Sequence, residues 1–273
     1  MKKIGHSMKY LIVSGDSNTT ADFDSISHPD MDFNYKKWPE LLAEKLGMKV
    51  INLARSGQGN EYIYTTLRNK IVNIKNKDEI GLVIAAWSQA PRKDYKDLND
   101  LNLKHDERKG WRAVRINTHG NLLYWVEKSL GHYLDFQILC ERYNIPHVQF
   151  QMIEIYEHYL EGIRPSQTDV HFGANPDVQS KYPGDAKKDE ATILKMILEY
   201  EKKLDTSKFM GWPPVQQLGG WRFKDKLDLW TFKKSPSRVS ALDNHPNELG
   251  HITVCDKINI LLQEYNIIGK NNG

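Results

Sequence analysis

A parallel β-sheet covered by helices, within one domain, is the architecture this sequence predicts. Three observations predict it: short apolar runs rich in β-branched residues, stretches of helical periodicity between them, and glycine-bearing loops where the runs end. Tyr10-Leu11-Ile12-Val13 is the first run, ended by Gly15, and reads as a buried strand whose C-terminal end carries Gly15-Asp16-Ser17. Trp38, Leu41, Leu42 and Leu46 share one helical face; Pro39 suits the first helical position and Gly47 the stop. Val50-Ile51-Asn52-Leu53 is a second strand. The polar turn Arg55 to Asn60 leads into a helix with Ile63, Leu67, Ile71 and Ile74 on one side, and Leu82 to Ala86 is a third strand. This is βαβαβ, which closes most simply as a parallel sheet.

After Pro91 the pattern breaks into a charged, Asn-rich stretch to about Gly120, expected to run over the surface. A helix from about Leu122 to Tyr143 presents Leu123, Val126, Leu130, Leu134 and Ile138, and Pro146 opens a fourth strand, His147 to Gln151. Residues 153–240 are less regular, with a helix near Ala191 to Leu204 and a fifth strand at Lys208 to Met210. A last helix, Leu249 to Tyr265, carries Ile252, Cys255, Ile258 and Leu262. The whole, 1–273, is read as one domain with two long insertions at about 92–121 and 153–240.

Composition narrows the function classes. At 40% apolar and 27% charged, 273 residues can bury one sizeable core. A net charge of +3 without a sustained Lys/Arg block argues against a nucleic-acid partner. Two cysteines, Cys140 and Cys255, make neither a disulfide framework nor a four-thiolate zinc site. The opening lacks a signal-peptide core, and no stretch approaches the roughly 20 apolar residues of a membrane span. The expectation is a cytoplasmic protein with a small-molecule or carbohydrate substrate, no membrane or nucleic-acid partner, no cofactor and no metal.

In open α/β sheets the functional crevice lies beyond the C-terminal strand ends, so loops bearing Ser17, Gly57 and Ser88 converge there. A later loop, Asp243-Asn244-His245-Pro246-Asn247, brings a carboxylate and an imidazole to the start of a helix. Serine nucleophilic catalysis needs a base, and that base needs a group to fix its tautomer; Ser17, His245 and Asp243 are those types. Backbone N–H groups of Ser17 and Gly57 suit an oxyanion hole, since a bare glycine permits close approach.

On these residues the chain resembles the SGNH hydrolases, also called GDSL-like esterases and lipases. Gly15-Asp16-Ser17 matches the nucleophile block, Asn52-Leu53-Ala54-Arg55-Ser56-Gly57 the glycine block and Asp243 to Asn247 the Asp–His block, in the family's order. The resemblance covers residues 8–90 and 240–265. It implies a flavodoxin-like three-layer α/β/α sandwich with a parallel sheet of about five strands, and ester hydrolysis through an acyl-serine, with an O-acetylated carbohydrate as first substrate. Acyl transfer to an alcohol, or a non-catalytic binding or virion-structural role on the same fold, are the rival readings. The departure lies in the third block: where the family has Gly-x-Asn-Asp, its Asn donating to the oxyanion, this chain has Ala86-Trp87-Ser88-Gln89. Ser88 is the nearest match and Gln89 the next. Asp243 stands two residues before His245 rather than the commoner three. The Trp-Ser replacement resembles phage-encoded branches, implying a viral source and a virion-associated location.

Each signal has a plainer reading. Ser17 could cap a following helix, Asp243 and His245 could be a helix-entry pair, and Gly57 an ordinary turn glycine. His251, six residues past His245, falls on another helical face and reads as structural. Glu154, Glu157 and His158 read as a solvated face rather than a cation site. Arg92 holds an anionic substrate group or pairs with a carboxylate such as Asp94. Trp87, Arg92, Trp212 and Trp221 are the candidate substrate contacts. Trp111, Trp212, Trp221 and Trp230 lie in irregular segments, where stacking on sugar rings competes with burial under long loops.

Overall fold

The computed structural model describes residues 8–96, 111–115, 121–162, 182–228 and 236–267. Five parallel strands form one sheet in the order β2-β1-β3-β6-β7: β1 (Tyr10–Ser14), β2 (Lys49–Asn52), β3 (Ile80–Trp87), β6 (His147–Gln151) and β7 (Phe209–Met210). Between β1 and β2 runs α1 (Trp38–Lys45), and between β2 and β3 runs α2 (Asn60–Asn73). The long α3 (Leu122–Arg142) precedes β6. Then follow α4 (Glu157–Leu160), α5 (Ala186–Glu201), α6 (Phe223–Asp228) and α7 (Glu248–Glu264). Counted within the sheet this is the doubly wound 2-1-3-4-5 order, whose direction reverses between β1 and β3; the crevice of such a sheet opens there.

Alternation along the central strands divides the core into two layers. Ile12, Val83, Ala85 and Trp87 face a cluster with Ile63 and Leu67 of α2, Val126, Leu130 and Tyr133 of α3, and Ile193 and Ile197 of α5. Leu11, Val13, Leu82, Ile84 and Ala86 face Trp38 and Leu42 of α1, Phe223 of α6, and Val254, Cys255 and Ile258 of α7. All eight residues of β3 are buried, as a middle strand covered on both faces requires. Among the described residues no helix is long and apolar enough to cross a membrane.

Several expectations are corrected. The α5 helix begins at Ala186, earlier than the apolar pattern indicates, because the Asp185 side chain accepts the Lys188 N–H and caps it. Ile138 of α3 is 51% exposed and Ile252 of α7 40% exposed. The buried face of α3 runs instead through Val126, Leu130, Tyr133, Gln137 and Cys140. The stretch after Pro91 is not merely a surface excursion: β4 (Arg92–Lys96) and β5 (Trp111–Arg115) pair antiparallel, and Asp94 and Trp111 are buried. Trp111 meets the ring of Tyr62 edge-on at 5.5 Å. Trp230 lies outside the described residues.

Candidate active site

The β1 strand delivers Ser17 to the switch point. Directly after it the chain doubles back: Thr19 and Thr20 both donate their N–H to the Asp16 carbonyl at 3.0 Å. Gly15 permits this reversal, since a Cβ there would lie 2.5 Å from Thr19 Oγ1. The Asp16 side chain is fully buried and accepts the Asn18 backbone N–H and side-chain amide, both at 3.0 Å. Ser17 is left partly exposed at the tip of the turn. No helix follows until Trp38, so Ser17 is not a helix cap.

The opposing loop is held as firmly. Val239 N–H donates to the His245 carbonyl at 2.9 Å, Ser240 N–H to that of Asp243 at 3.1 Å, and Asn247 N–H to that of Ser237 at 3.1 Å. Asn247 also caps α7, its side chain accepting the Gly250 N–H at 3.0 Å, which fixes the chain two residues beyond His245. The result is an ordered proton path: His245 Nε2 is 2.8 Å from Ser17 Oγ, and His245 Nδ1 is 2.6 Å from Asp243 Oδ1. The same Asp243 oxygen accepts the His245 backbone N–H at 3.0 Å. Burial works to raise the Asp243 carboxyl, but the Ser25 hydroxyl, followed by the backbone and ring of His245, outweighs it and holds it below the ordinary carboxylate range.

Ser25 and Phe23 are contributions that the sequence motifs do not announce. Ser25 donates its hydroxyl to Asp243 Oδ2, and the Phe23 ring lies 4.5 Å from the His245 ring. Both come from the 15–37 segment between β1 and α1, which folds over the histidine loop; His28 Nε2 also meets Ser240 Oγ at 2.6 Å. A long polar loop carries no periodicity, so only its length hinted at a role.

Gly57 sits in the loop after β2 with φ +78°, the left-handed region that favours glycine. Among the described residues no group accepts the backbone N–H of Gly57 or of Ser17, so both remain available as donors. Ser88, the expected side-chain donor, is placed otherwise. It is fully buried, its hydroxyl donates to Asp16 Oδ2 at 2.7 Å, and its N–H donates to Asn60 Oδ1 at 2.8 Å. A serine has one hydroxyl proton, and here Asp16 takes it. Gln89 donates to Glu154 Oε1 at 2.9 Å.

Arg92 pairs with Asp16, not with Asp94: its Nη1 lies 3.3 Å from Asp16 Oδ2 and 3.1 Å from the Gln58 carbonyl. Asp94 accepts instead the N–H groups of Gly59 at 2.7 Å and Tyr62 at 2.8 Å, capping α2. Of the tryptophans proposed as substrate contacts, Trp87 is packed away, while Trp212 and Trp221 are half-buried. Trp87 is fully buried against Tyr133 and donates to Gln149 at 2.8 Å. Trp212 lies on Phe209 beside one core layer and Trp221 on Phe223 beside the other. His251 is buried and accepts the Trp38 N–H at 3.3 Å.

A shallow cleft lies on the Arg92 side of this centre, lined by Gln89, Pro91, Arg92, Glu154, Tyr156 and Tyr159 among others; Ser17, Gly57 and His245 do not line it. Burial opposes the charge of Glu154, yet the Lys224 ammonium, 3.0 Å away, overcomes it and holds the carboxyl at about 2. Glu157 is likewise paired with Arg222 at 2.5 Å. Both carboxylates are thus taken by cations of the chain itself.

No model of a known protein family matches the chain, and no curated protein matches it. Among solved structures it is similar to a lipolytic protein of the G-D-S-L family from Desulfitobacterium hafniense, at 12% identity and a TM-score of 0.44, over 93% of this chain and 99% of that one. It is similar also to the psychrotrophic esterase EstA from Pseudoalteromonas, at 12% and 0.45, over 94% and 98%. An acetyl xylan esterase stands at 14% and 0.41, over 92% and 98%. At such identities the chemistry has to be read from this chain's own residues.

Proposed function

We propose that the chain is a serine hydrolase of the SGNH type acting on carboxylic esters. The observation that carries this reading is the continuous path from Ser17 Oγ through His245 to Asp243, at 2.8 and 2.6 Å, with a tethered carboxylate at its end. Ser17 Oγ attacks the ester carbonyl carbon while its proton passes to His245 Nε2; the new imidazolium is steadied by Asp243. The N–H groups of Ser17 and Gly57 receive the oxyanion. As the carbonyl reforms, the C–O bond to the alcohol breaks and the alcohol leaves with the proton from His245. Water then repeats the sequence against the acyl-serine, His245 serving as base and then as acid.

Within that class, an O-acetyl group on a carbohydrate is the substrate to assay first. One observation favours a second reading, a non-catalytic binding protein on the same scaffold: the Ser88 hydroxyl is committed to Asp16.

A fluorophosphonate probe separates the two. The hydrolase reading expects a single adduct on the Ser17 peptide and turnover of p-nitrophenyl acetate that Ser17→Ala abolishes. Retention of more than about a tenth of the wild-type rate in Ser17→Ala excludes the acyl-serine path. Absence of any adduct on the wild-type protein favours the binding reading.

A further inference from the structure

An oxyanion hole made of two backbone donors works only if the loops that carry them keep one separation. The Gly57 loop is closed on itself only by a long bond from Gln58 N–H to the Arg55 carbonyl at 3.4 Å, and Gly57 itself is exposed and left-handed. One end is tied to the nucleophile segment, since Arg55 N–H donates to the Gly15 carbonyl at 3.1 Å. The other end is tied from outside, by β4. Arg92 Nη1 reaches the Gln58 carbonyl at 3.1 Å and the Asp16 carboxylate at 3.3 Å, so one nitrogen joins the residue after Gly57 to the residue before Ser17.

The strand is seated to make this contact. Gly59 leaves the space, because a Cβ there would lie 2.7 Å from Arg92 Cβ and 2.8 Å from its carbonyl oxygen. Asp94, two residues along, anchors β4 to the Gly59 and Tyr62 N–H groups. The Arg92 side chain is only 13% exposed and Asp16 is fully buried, so the link is a charge-assisted bond shielded from water.

We propose that Arg92 is a positioning residue for the oxyanion site: by joining the Gln58 carbonyl to the Asp16 carboxylate it fixes the Gly57 and Ser17 N–H groups relative to each other. This compensates for the third-block side-chain donor that the chain lacks. The inference rests on the hydrolase reading for its catalytic meaning, while the tie itself is a property of the fold.

The experiment compares wild type, Arg92→Gln and Arg92→Lys, each checked for cooperative melting. Steady-state hydrolysis of p-nitrophenyl acetate, the rate of fluorophosphonate inactivation and amide hydrogen exchange across residues 55–59 are measured. Arg92→Gln is expected to lower kcat and the inactivation rate together, by about 10- to 100-fold, with KM changed less than about threefold. Exchange at 55–59 accelerates while β1 and β3 stay protected. Arg92→Lys recovers most of the rate, because an ammonium offers three donors to the same two acceptors. The proposal is overturned by wild-type kcat in Arg92→Gln, by a loss residing wholly in KM, which would make Arg92 a substrate contact, or by unchanged exchange at 55–59. A wild-type protein that does not react with the probe defeats the hydrolase reading instead, and the exchange measurement still decides the tie.

Discussion

At the residue scale, the two carboxylates of the site are each held by a serine hydroxyl from elsewhere in the chain. Ser25 serves Asp243 and Ser88 serves Asp16. A hydrogen bond to a charged group contributes about 1.5–3 kcal/mol, so Ser25→Ala should cost about that in stability and lower kcat as the Asp243 carboxyl drifts up. Chemical denaturation alongside initial rates checks it, and an unchanged midpoint with unchanged kcat would remove Ser25 from the site. Ser88→Asn introduces an amide donor where the SGNH third block has Asn, yet the site is fully buried with both N–H and hydroxyl engaged. The extra volume should cost about 1–3 kcal/mol rather than raise activity. A more active, equally stable Ser88→Asn enzyme would return the residue to the oxyanion hole.

At the element scale, the site depends on how α2, β4 and α7 are seated. Gly59→Ala would drive a Cβ against the backbone of Arg92 and the Asp94 carboxylate, 3.0 Å away, pushing β4 off the glycine loop. The expected outcome is a fall in kcat beside a stability loss of about 1–3 kcal/mol, read from turnover and melting of the same sample. Asn247 does two jobs in α7, accepting the Gly250 N–H and donating to the Pro236 and Arg238 carbonyls at 2.7 and 2.8 Å. Asn247→Ala should therefore cost at least the roughly 1 kcal/mol of a lost cap, and the His245 loop should exchange its amides faster. Unaltered exchange at 238–246 would show that the loop is held without it.

For the whole molecule, pH acts through titratable groups that folding removes from water. Burial lowers His251 to about 3 and His132 to about 4, from 6.5 in the unfolded chain, and lowers His147 as well. Between those values the unfolded chain binds more protons than the folded one. The stability from these histidines is thus complete above about pH 6.5 and is lost as pH falls toward 4 and 3. Asp94 has the opposite sign: burial raises it to about 7 from 3.8, so its contribution is complete below 3.8 and is lost as pH rises through 7. Glu154, held at about 2, and Asp243, held low, act with the histidines, since their contribution is lost as pH falls, whereas Glu40, raised by burial, acts with Asp94. With five groups favouring neutral pH against two, the melting temperature should climb from pH 4 to about 6.5 and level off or decline slightly above it. His251→Asn, which keeps an acceptor for the Trp38 N–H, should make the acid limb shallower. A limb of unchanged slope in that variant would assign acid sensitivity elsewhere.

What the sequence determined by itself is the sheet and the polar side chains gathered at its edge. Leu11 to Val13, Leu82 to Ala86 and His147 to Gln151 are legible because a strand buried on both faces must be apolar almost throughout, a condition written in consecutive residues. Ser17, Gly57, Asp243 and His245 are legible because their blocks are local: each carries its own turn or cap, and strand order does the rest. Helix faces were legible only over short spans. Successive i+4 steps rotate by about 40° each, so a face begun at Val126 has turned far from the core by Ile138, and Tyr133 and Gln137 replace it. The tertiary structure alone decided how the site is completed. Nothing near Arg92 in the chain says that its partner is Asp16 rather than its neighbour Asp94, that Ser25 reaches Asp243 across 218 positions, or that Trp212 and Trp221 sit against opposite core layers. Those outcomes are through-space: they follow from which side chains lose water together when layers close, and packing assigns a charge or a hydroxyl to the nearest group of complementary chemistry regardless of distance along the chain.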